Sequence, residues 1–347
     1  MNYSMWMKRS MYLLVLVSML LIGGCDEDFE APPEVTITDD FVDLRPRQSV
    51  IKDQGNRTTC IVFAGLAAVE AAYIRQGFGE LELSPEFINF TRKAFYLHPL
   101  WDEMLERGPN GVETQLGSAG GGGGVGVISN LNKGFKVPLT DVMPYHDSDN
   151  YYRDAYPAVR SIIDKIVNDE PRIQREYSTF NLDSTILNNS ILRHDKFYSV
   201  GNYRNIENPR DPAQFESALR RGYEVVWDFA GANPGDPGGR NNRGVWQRCD
   251  ACGTIPHSML IVGYDKRSSN SDDHYFIVKN SWGPDNRAEG SQGFTYISYD
   301  YVRSYGAGAN YVTLVNPPQA WPELAFIGRW KLNFDGHRGE LDIYHLP

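Results

Sequence analysis

The chain has 347 residues, room for one large globular unit or two lobes at roughly 100–200 residues per domain. Apolar residues make up 41%, charged 22% and aromatic 12%, enough to bury a core, which excludes a mainly disordered chain. The formal net charge is −10 and the basic residues form no run or stripe, so the phosphate-neutralising surface of a nucleic-acid binder is missing and no nucleic acid is expected as a partner.

Lys8 and Arg9 precede an almost wholly apolar stretch, 11–22, that ends in Ile22-Gly23-Gly24-Cys25. A short cationic flank, an apolar run and a small-residue end read as a signal peptide over 1–24; the run is shorter than the ~20 residues of a spanning helix. The cysteine at its end resembles the lipobox of bacterial lipoproteins, which implies cleavage before Cys25, acyl chains on Cys25 and attachment to a membrane surface in the bacterial envelope. Everything after it is expected outside the cytoplasm. Residues 25–40, acidic and carrying Pro32-Pro33, suit a solvated tether.

The folded part is expected over 41–316. Cys60-Ile61-Val62-Phe63-Ala64 and the residues to Gln76 are apolar nearly all round, with Thr58 and Thr59 ahead as possible caps and Gly77 behind as a stop, which predicts a buried helix starting at the cysteine. Ser84-Pro85-Glu86 opens a second helix with a cap residue and a first-turn proline. A glycine run occupies 120–124. The second half changes character. Segments 223–227, 259–264, 275–279 and 293–297 are short and rich in branched and aromatic residues, which predicts an antiparallel sheet. Helices first and strands later make an α+β protein with a helical lobe facing a β lobe. After Asn316-Pro317-Pro318, residues 317–347 alternate around Asp335-Gly336 as a separate hairpin extension, either an added edge of the β lobe, a docking surface for a partner or a cap on the cleft.

The four cysteines are Cys25, Cys60, Cys249 and Cys252. With Cys25 lipidated and the C-x-x-C pair Cys249 and Cys252 closing a small loop in an oxidising compartment, Cys60 is the thiol left over. The pair also fits a redox motif or half of a zinc site, but no second ligand pair stands at a suitable spacing, so a disulfide clip is expected and no metal. At the first turn of a helix, Cys60 would face unsatisfied N–H groups and the positive dipole end, which favour thiolate. A nucleophile of this kind needs a proton carrier. His257 stands just before the strand at 259–264, and Asn280 ends the next strand, so a hairpin turned at 265–274 brings the asparagine back to orient the imidazole. Gln54 would add a side-chain N–H to the backbone N–H of Cys60 as an oxyanion site.

Gln54-Gly55-Asn56-Arg57-Thr58-Thr59-Cys60, Pro256-His257-Ser258 and Lys279-Asn280-Ser281-Trp282-Gly283 resemble, in order and spacing, the active-site segments of the papain-family cysteine peptidases. Ser84-Pro85-Glu86, the run at 120–124 and Pro144-Tyr145 are weaker echoes. The resemblance spans about residues 41–315 and implies a papain-like two-lobe fold, with a central helix at the catalytic cysteine and a β-barrel-like second lobe. It implies Cys60 as nucleophile, His257 as base, Asn280 as orienter, Gln54 at the oxyanion, Trp282 shielding the His257–Asn280 bond, and Gly121, Gly122 and Gly123 lending backbone to a peptide substrate. No cofactor is implied. Two positions depart from the family: Arg57 replaces a disulfide cysteine three residues before the nucleophile, and Ile61 replaces the tryptophan just after it. The gap from Cys60 to His257 exceeds the family's ~130–150 residues, which places an insertion within about 146–215. The resulting expectation is a lipid-anchored cysteine peptidase acting on peptides or proteins; the alternative is a catalytically inactive papain-like scaffold that binds peptides or partner proteins.

Overall fold

The computed structural model describes residues 31–92, 123–148, 151–155, 188–284, 292–320, 328–334 and 337–343. The expected signal peptide, Cys25, Gly121 and Gly122 lie outside the described residues. In chain order the strands are β1 (Thr36–Ile37), β2 (Phe41–Asp43), β3 (Phe197–Asn205), β4 (Val225–Ala232), β5 (Thr254–Asp265), β6 (Tyr275–Lys279), β7 (Phe294–Ser298), β8 (Gly306–Gln319), β9 (Gly328–Phe334) and β10 (His337–Ile343). The helices are α1 (Cys60–Arg75), α2 (Pro85–Arg92), α3 (Gly124–Asn132), α4 (Tyr151–Ala155), α5 (Asn189–Leu192), α6 (Pro212–Arg220) and α7 (Tyr299–Tyr305). Among them no helix is long and apolar enough to cross a membrane.

The organising strand is β5. Every side chain from His257 to Tyr264 is buried, the continuous apolar pattern of a strand covered on both faces. It pairs antiparallel with β2, β4 and β6, and the eight-stranded sheet runs β1-β2-β5-β4-β8-β3 with β6 and β7 branching from β5. The β5–β6 hairpin turns where expected, with Asp265 opposite Tyr275. Its register carries His257 and Asn280 toward each other.

Helix α1 begins at Cys60, as expected, and all of it but Arg75 is buried. A helix apolar on every side needs neighbours on every side; α1 has α2 and α3 along it and β4, β5 and β8 against it. A Cβ on Gly65 would lie 2.7 Å from the Val127 Cβ of α3, so the glycine permits the close crossing. Gly77 takes φ +83° past the end of the helix, the left-handed stop that glycine adopts without strain. At the other end Thr59 occupies the cap position but makes no capping bond. Its hydroxyl is engaged with the Tyr145 hydroxyl at 2.7 Å instead. The second helix is capped as expected: Ser84 Oγ accepts from Phe87 N at 3.0 Å, with Pro85 in the first turn.

One other reading changes with the structure. Strand β8 runs through Pro317 and Pro318 to Gln319, where the prolines were expected to break the chain. They sit in a bulge, with Ser199 opposite Asn316 but Phe197 opposite Gln319, and a bulge tolerates residues that lack an N–H. The region expected as an insertion supplies β3, the last strand of the sheet; residues 156–187 within it lie outside the described residues. The hairpin β9–β10 pairs from Gly328 opposite Ile343 to Phe334 opposite His337 and, among the described residues, forms its own two-stranded sheet.

Candidate active site

Cys60, at the head of α1, and His257, on β5, open on one cleft of about 840 Å³. Gln54, Gly123, Asp228 and Trp282 also line it. His257 Nε2 donates to Asn280 Oδ1 at 2.9 Å, and the same oxygen accepts from Ser281 N at 2.8 Å. Because the backbone N–H fixes the amide with its oxygen toward the ring, the ring hydrogen sits on Nε2 and Nδ1 is left as the proton acceptor. The imidazole is held on two sides by aromatic rings. Trp282 stacks on it with centroids 4.8 Å apart, and Phe229, opposite His257 in the β4–β5 register, meets it edge-on at 5.8 Å. Behind Trp282 stands Trp246, fully buried and stacked at 5.9 Å.

Gln54 is fixed as firmly. Its Nε2 donates to Arg57 O at 2.7 Å and its Oε1 accepts from Ser281 Oγ at 2.6 Å, which leaves the second N–H of the amide without an assigned role in those two bonds. The backbone joins the same two segments: Gln54 N donates to Ser281 O at 2.9 Å, and Gly283 N to Lys52 O at 3.2 Å. Tyr145, of the Pro-Tyr turn, donates its hydroxyl hydrogen to Gln54 O at 2.8 Å. Thus the glutamine loop, the asparagine motif and the turn at 145 brace one another.

Arg57, expected as a departure from the resemblance, braces the loop before Cys60. Its side chain is fully buried, and so is that of Glu86 on α2. The guanidinium donates to Glu86 through Nη1 at 2.5 Å and Nη2 at 3.1 Å, and Nη1 also reaches His146 O at 2.6 Å. It lies 4.8 Å from the centre of the Tyr145 ring. A two-pronged buried pair of this kind ties the loop before Cys60 to the helix behind it. The clip Cys249–Cys252 is formed, with Cα atoms 5.4 Å apart, in the loop that leads into β5 and His257; Tyr305 holds it by accepting from Cys249 N at 3.1 Å.

The electrostatics set a second effect against the thiolate expected of Cys60. Burial pushes the Cys60 thiol above its ordinary value; the N–H groups of Ser258 and Ile61 act the other way, and the Asp228 carboxylate adds to the rise. Burial pushes His257 down to about 4, against the Asn280 hydrogen bond. The helix N-terminus does favour thiolate, but desolvation of a nearly enclosed sulfur outweighs it. Burial thus pushes both groups toward their neutral forms.

Asp228 carried no role in the sequence reading. It sits in Val225-Val226-Trp227-Asp228-Phe229, and a lone carboxylate interrupting an apolar strand was the signal available. Its Oδ1 accepts from Gly124 N at 2.8 Å and from Ser258 Oγ, and its Oδ2 from Val125 N at 3.3 Å. It thereby caps α3, whose own cap position is Gly123. A Cβ on Gly123 would come 2.2 Å from Asp228 Oδ2, so a side chain there would have to displace the carboxylate that caps α3.

Residues 239–313 match the family model of the papain family cysteine protease. No curated protein sequence matches the chain. Several solved structures are similar. The clostridial cysteine protease Cwp84 after propeptide cleavage aligns with a TM-score of 0.51 at 16% identity, covering 85% of this chain and 64% of that one. Xylellain, a cysteine protease from Xylella fastidiosa, aligns with a TM-score of 0.51 at 19% identity, covering 84% and 94%. The cysteine protease and lectin-like domains of Cwp84, a surface layer associated protein of Clostridium difficile, align with a TM-score of 0.51 at 17% identity, covering 89% and 60%. The chain thus spans under two thirds of the length of the Cwp84 chains and nearly all of xylellain. The helix-plus-antiparallel-sheet architecture is that of the papain-like cysteine proteases.

Proposed function

From this papain-like fold we propose a cysteine-type peptidase that hydrolyses peptide bonds through Cys60, His257 and Asn280, held at the bacterial envelope by lipid on Cys25. The observation that carries the reading is the His257–Asn280 bond at 2.9 Å on the wall of the cleft into which Cys60 opens. Because burial disfavours the charged form of both groups, the thiol proton passes to His257 Nδ1 as sulfur attacks the scissile carbonyl. The oxyanion forms against the Cys60 backbone N–H at the helix start and the Gln54 side-chain N–H. His257 then returns the proton to the leaving amine, and water hydrolyses the thioester. Asn280 keeps the ring in the tautomer this needs, and Trp282 covers the hydrogen bond. A disulfide in the loop before His257 fits an exported protein.

The test is labelling by an epoxide inhibitor of papain-like peptidases, with mass mapping. Label on Cys60, absent in Cys60→Ala and His257→Ala, supports a working nucleophile. The second reading is a catalytically inactive peptide-binding scaffold, and the burial that raises Cys60 and lowers His257 favours it. An unlabelled, folded and reduced chain would move the assignment there.

A further inference from the structure

Asn280 stands just past the end of β6. Its Oδ1 is taken by the His257 ring and by Ser281 N, and its backbone N–H donates to Gly293 O at 3.2 Å. Its Nδ2 is buried and meets no acceptor among the described residues. Packing leaves slack beside it as well. A cavity of about 20 Å³, room for about one water, is lined by Lys279, Asn280 and Ser281 and by Phe63, Ala64 and Ala67 of α1. The aim of the amide at His257 therefore depends on how its two neighbours are held. Ser281, which follows, donates its hydroxyl hydrogen to Gln54 Oε1 at 2.6 Å. Lys279, which precedes, is the other anchor.

Lys279 ends β6 and is buried there. Its Nζ donates to Ser49 O at 2.7 Å and to Ser49 Oγ at 3.0 Å. The Ser49 hydroxyl in turn donates to Glu70 Oε2 on α1, and Glu70 Oε1 accepts from Lys52 Nζ at 2.5 Å and from Leu83 N at 2.7 Å. A chain of hydrogen bonds thus runs from the residue before Asn280 to the helix that begins at Cys60. Burial disfavours the Lys279 ammonium and pushes it down to about 8, with Glu70 acting the other way and Lys52 adding to the fall. An apolar side chain in place of a buried cation is often neutral or stabilising, so stability alone does not account for a lysine at this position. Resting on the peptidase reading, we propose that Lys279 is a positioning residue: its tie through Ser49 to Glu70 fixes the end of β6 against α1 and so sets the aim of Asn280 at the imidazole that serves Cys60.

NMR of the full chain with isotope-labelled histidine rings tests this without requiring turnover. The His257 Nε2 proton, buried and held by Asn280, gives a ring N–H resonance that His257→Gln identifies by its loss. Lys279→Met should broaden or lose that resonance and Lys279→Arg should keep it. Epoxide labelling of Cys60 should slow about tenfold in Lys279→Met and stay near the parent rate in Lys279→Arg. Because Glu70 keeps Lys52, Lys279→Met strands no carboxylate and should melt within about 2 °C of the parent, which separates a lost aim from a lost fold. Should that variant fail to fold, Ser49→Ala, which cuts the link to Glu70 and leaves Lys279 its bond to Ser49 O, should shift the same resonance. An unchanged resonance and labelling rate in folded Lys279→Met, or an unchanged resonance in Ser49→Ala, would overturn the proposal. A parent chain that takes no label, yet loses the resonance in Lys279→Met and keeps it in Lys279→Arg, would refute the peptidase and leave the positioning standing.

Discussion

Arg57→Met removes the buried cation and keeps most of the volume. Glu86 is then left as a carboxylate about 1% exposed, without the guanidinium that now meets it at 2.5 and 3.1 Å. The His146 carbonyl loses its 2.6 Å donor, and Tyr145 loses a cation at 4.8 Å from its ring centre. Breaking a buried pair by removing one partner costs about 3–5 kcal/mol, dominated by the stranded charge. At about 2–4 °C of Tm per kcal/mol for a fold of this size class, the melting temperature should fall by roughly 10 °C. Urea titration of the parent, Arg57→Met, Glu86→Leu and the double variant checks it. The double variant should recover most of the loss, because removing both charges also removes the desolvation cost. A single-variant loss under about 1 kcal/mol, or a double variant as unstable as the sum of the singles, would refute the view that this pair braces the loop before Cys60. Since Arg57 O holds Gln54 Nε2 at 2.7 Å, epoxide labelling of Cys60 should slow in both single variants as well.

Other outcomes follow from the same geometry. His257, depressed to about 4 from an ordinary 6.5, binds no proton in the folded chain while the unfolded chain binds one between those values. Stability is therefore lost as pH falls from 6.5 toward 4, by up to about 3 kcal/mol from this group; urea midpoints at pH 4.5 and 7 should show it, and His257→Gln should remove that share. Cys60, raised by burial and by Asp228, should be alkylated by iodoacetamide with a rate that keeps climbing above the pH of an ordinary thiol, and Asp228→Asn should shift the profile downward. A plateau already reached below pH 6 would mean that a thiolate–imidazolium pair outweighs the desolvation. Asn280→Ala frees the ring to choose its tautomer and tilt, and should lower kcat/KM on a cleaved peptide by about a hundredfold, the scale of a misplaced catalytic group.

The parts that were legible in the sequence are those whose chemistry is written in short strings. Pro256-His257-Ser258 and Lys279-Asn280-Ser281-Trp282 each carry a functional residue and its strand in one stretch, and the β5–β6 hairpin brings Leu260 opposite Lys279 as the turn at 265–274 requires. Arg57 shows the limit. From the sequence it is a missing cysteine; that it is a brace depends on Glu86 and His146, which lie 29 and 89 residues further along the chain. The sign of the Cys60 shift is hidden for a related reason. A helix start is visible locally and argues for thiolate, but the desolvation that outweighs it comes from the strands closed over α1 and from a carboxylate on β4. Asp228 joins both points: its bonds to Gly124 and Ser258 tie the start of α3 to the histidine strand, and its charge adds to the burial that opposes ionisation of the Cys60 sulfur, so one side chain far from Cys60 in sequence shapes both the walls of the cleft and the chemistry of the thiol.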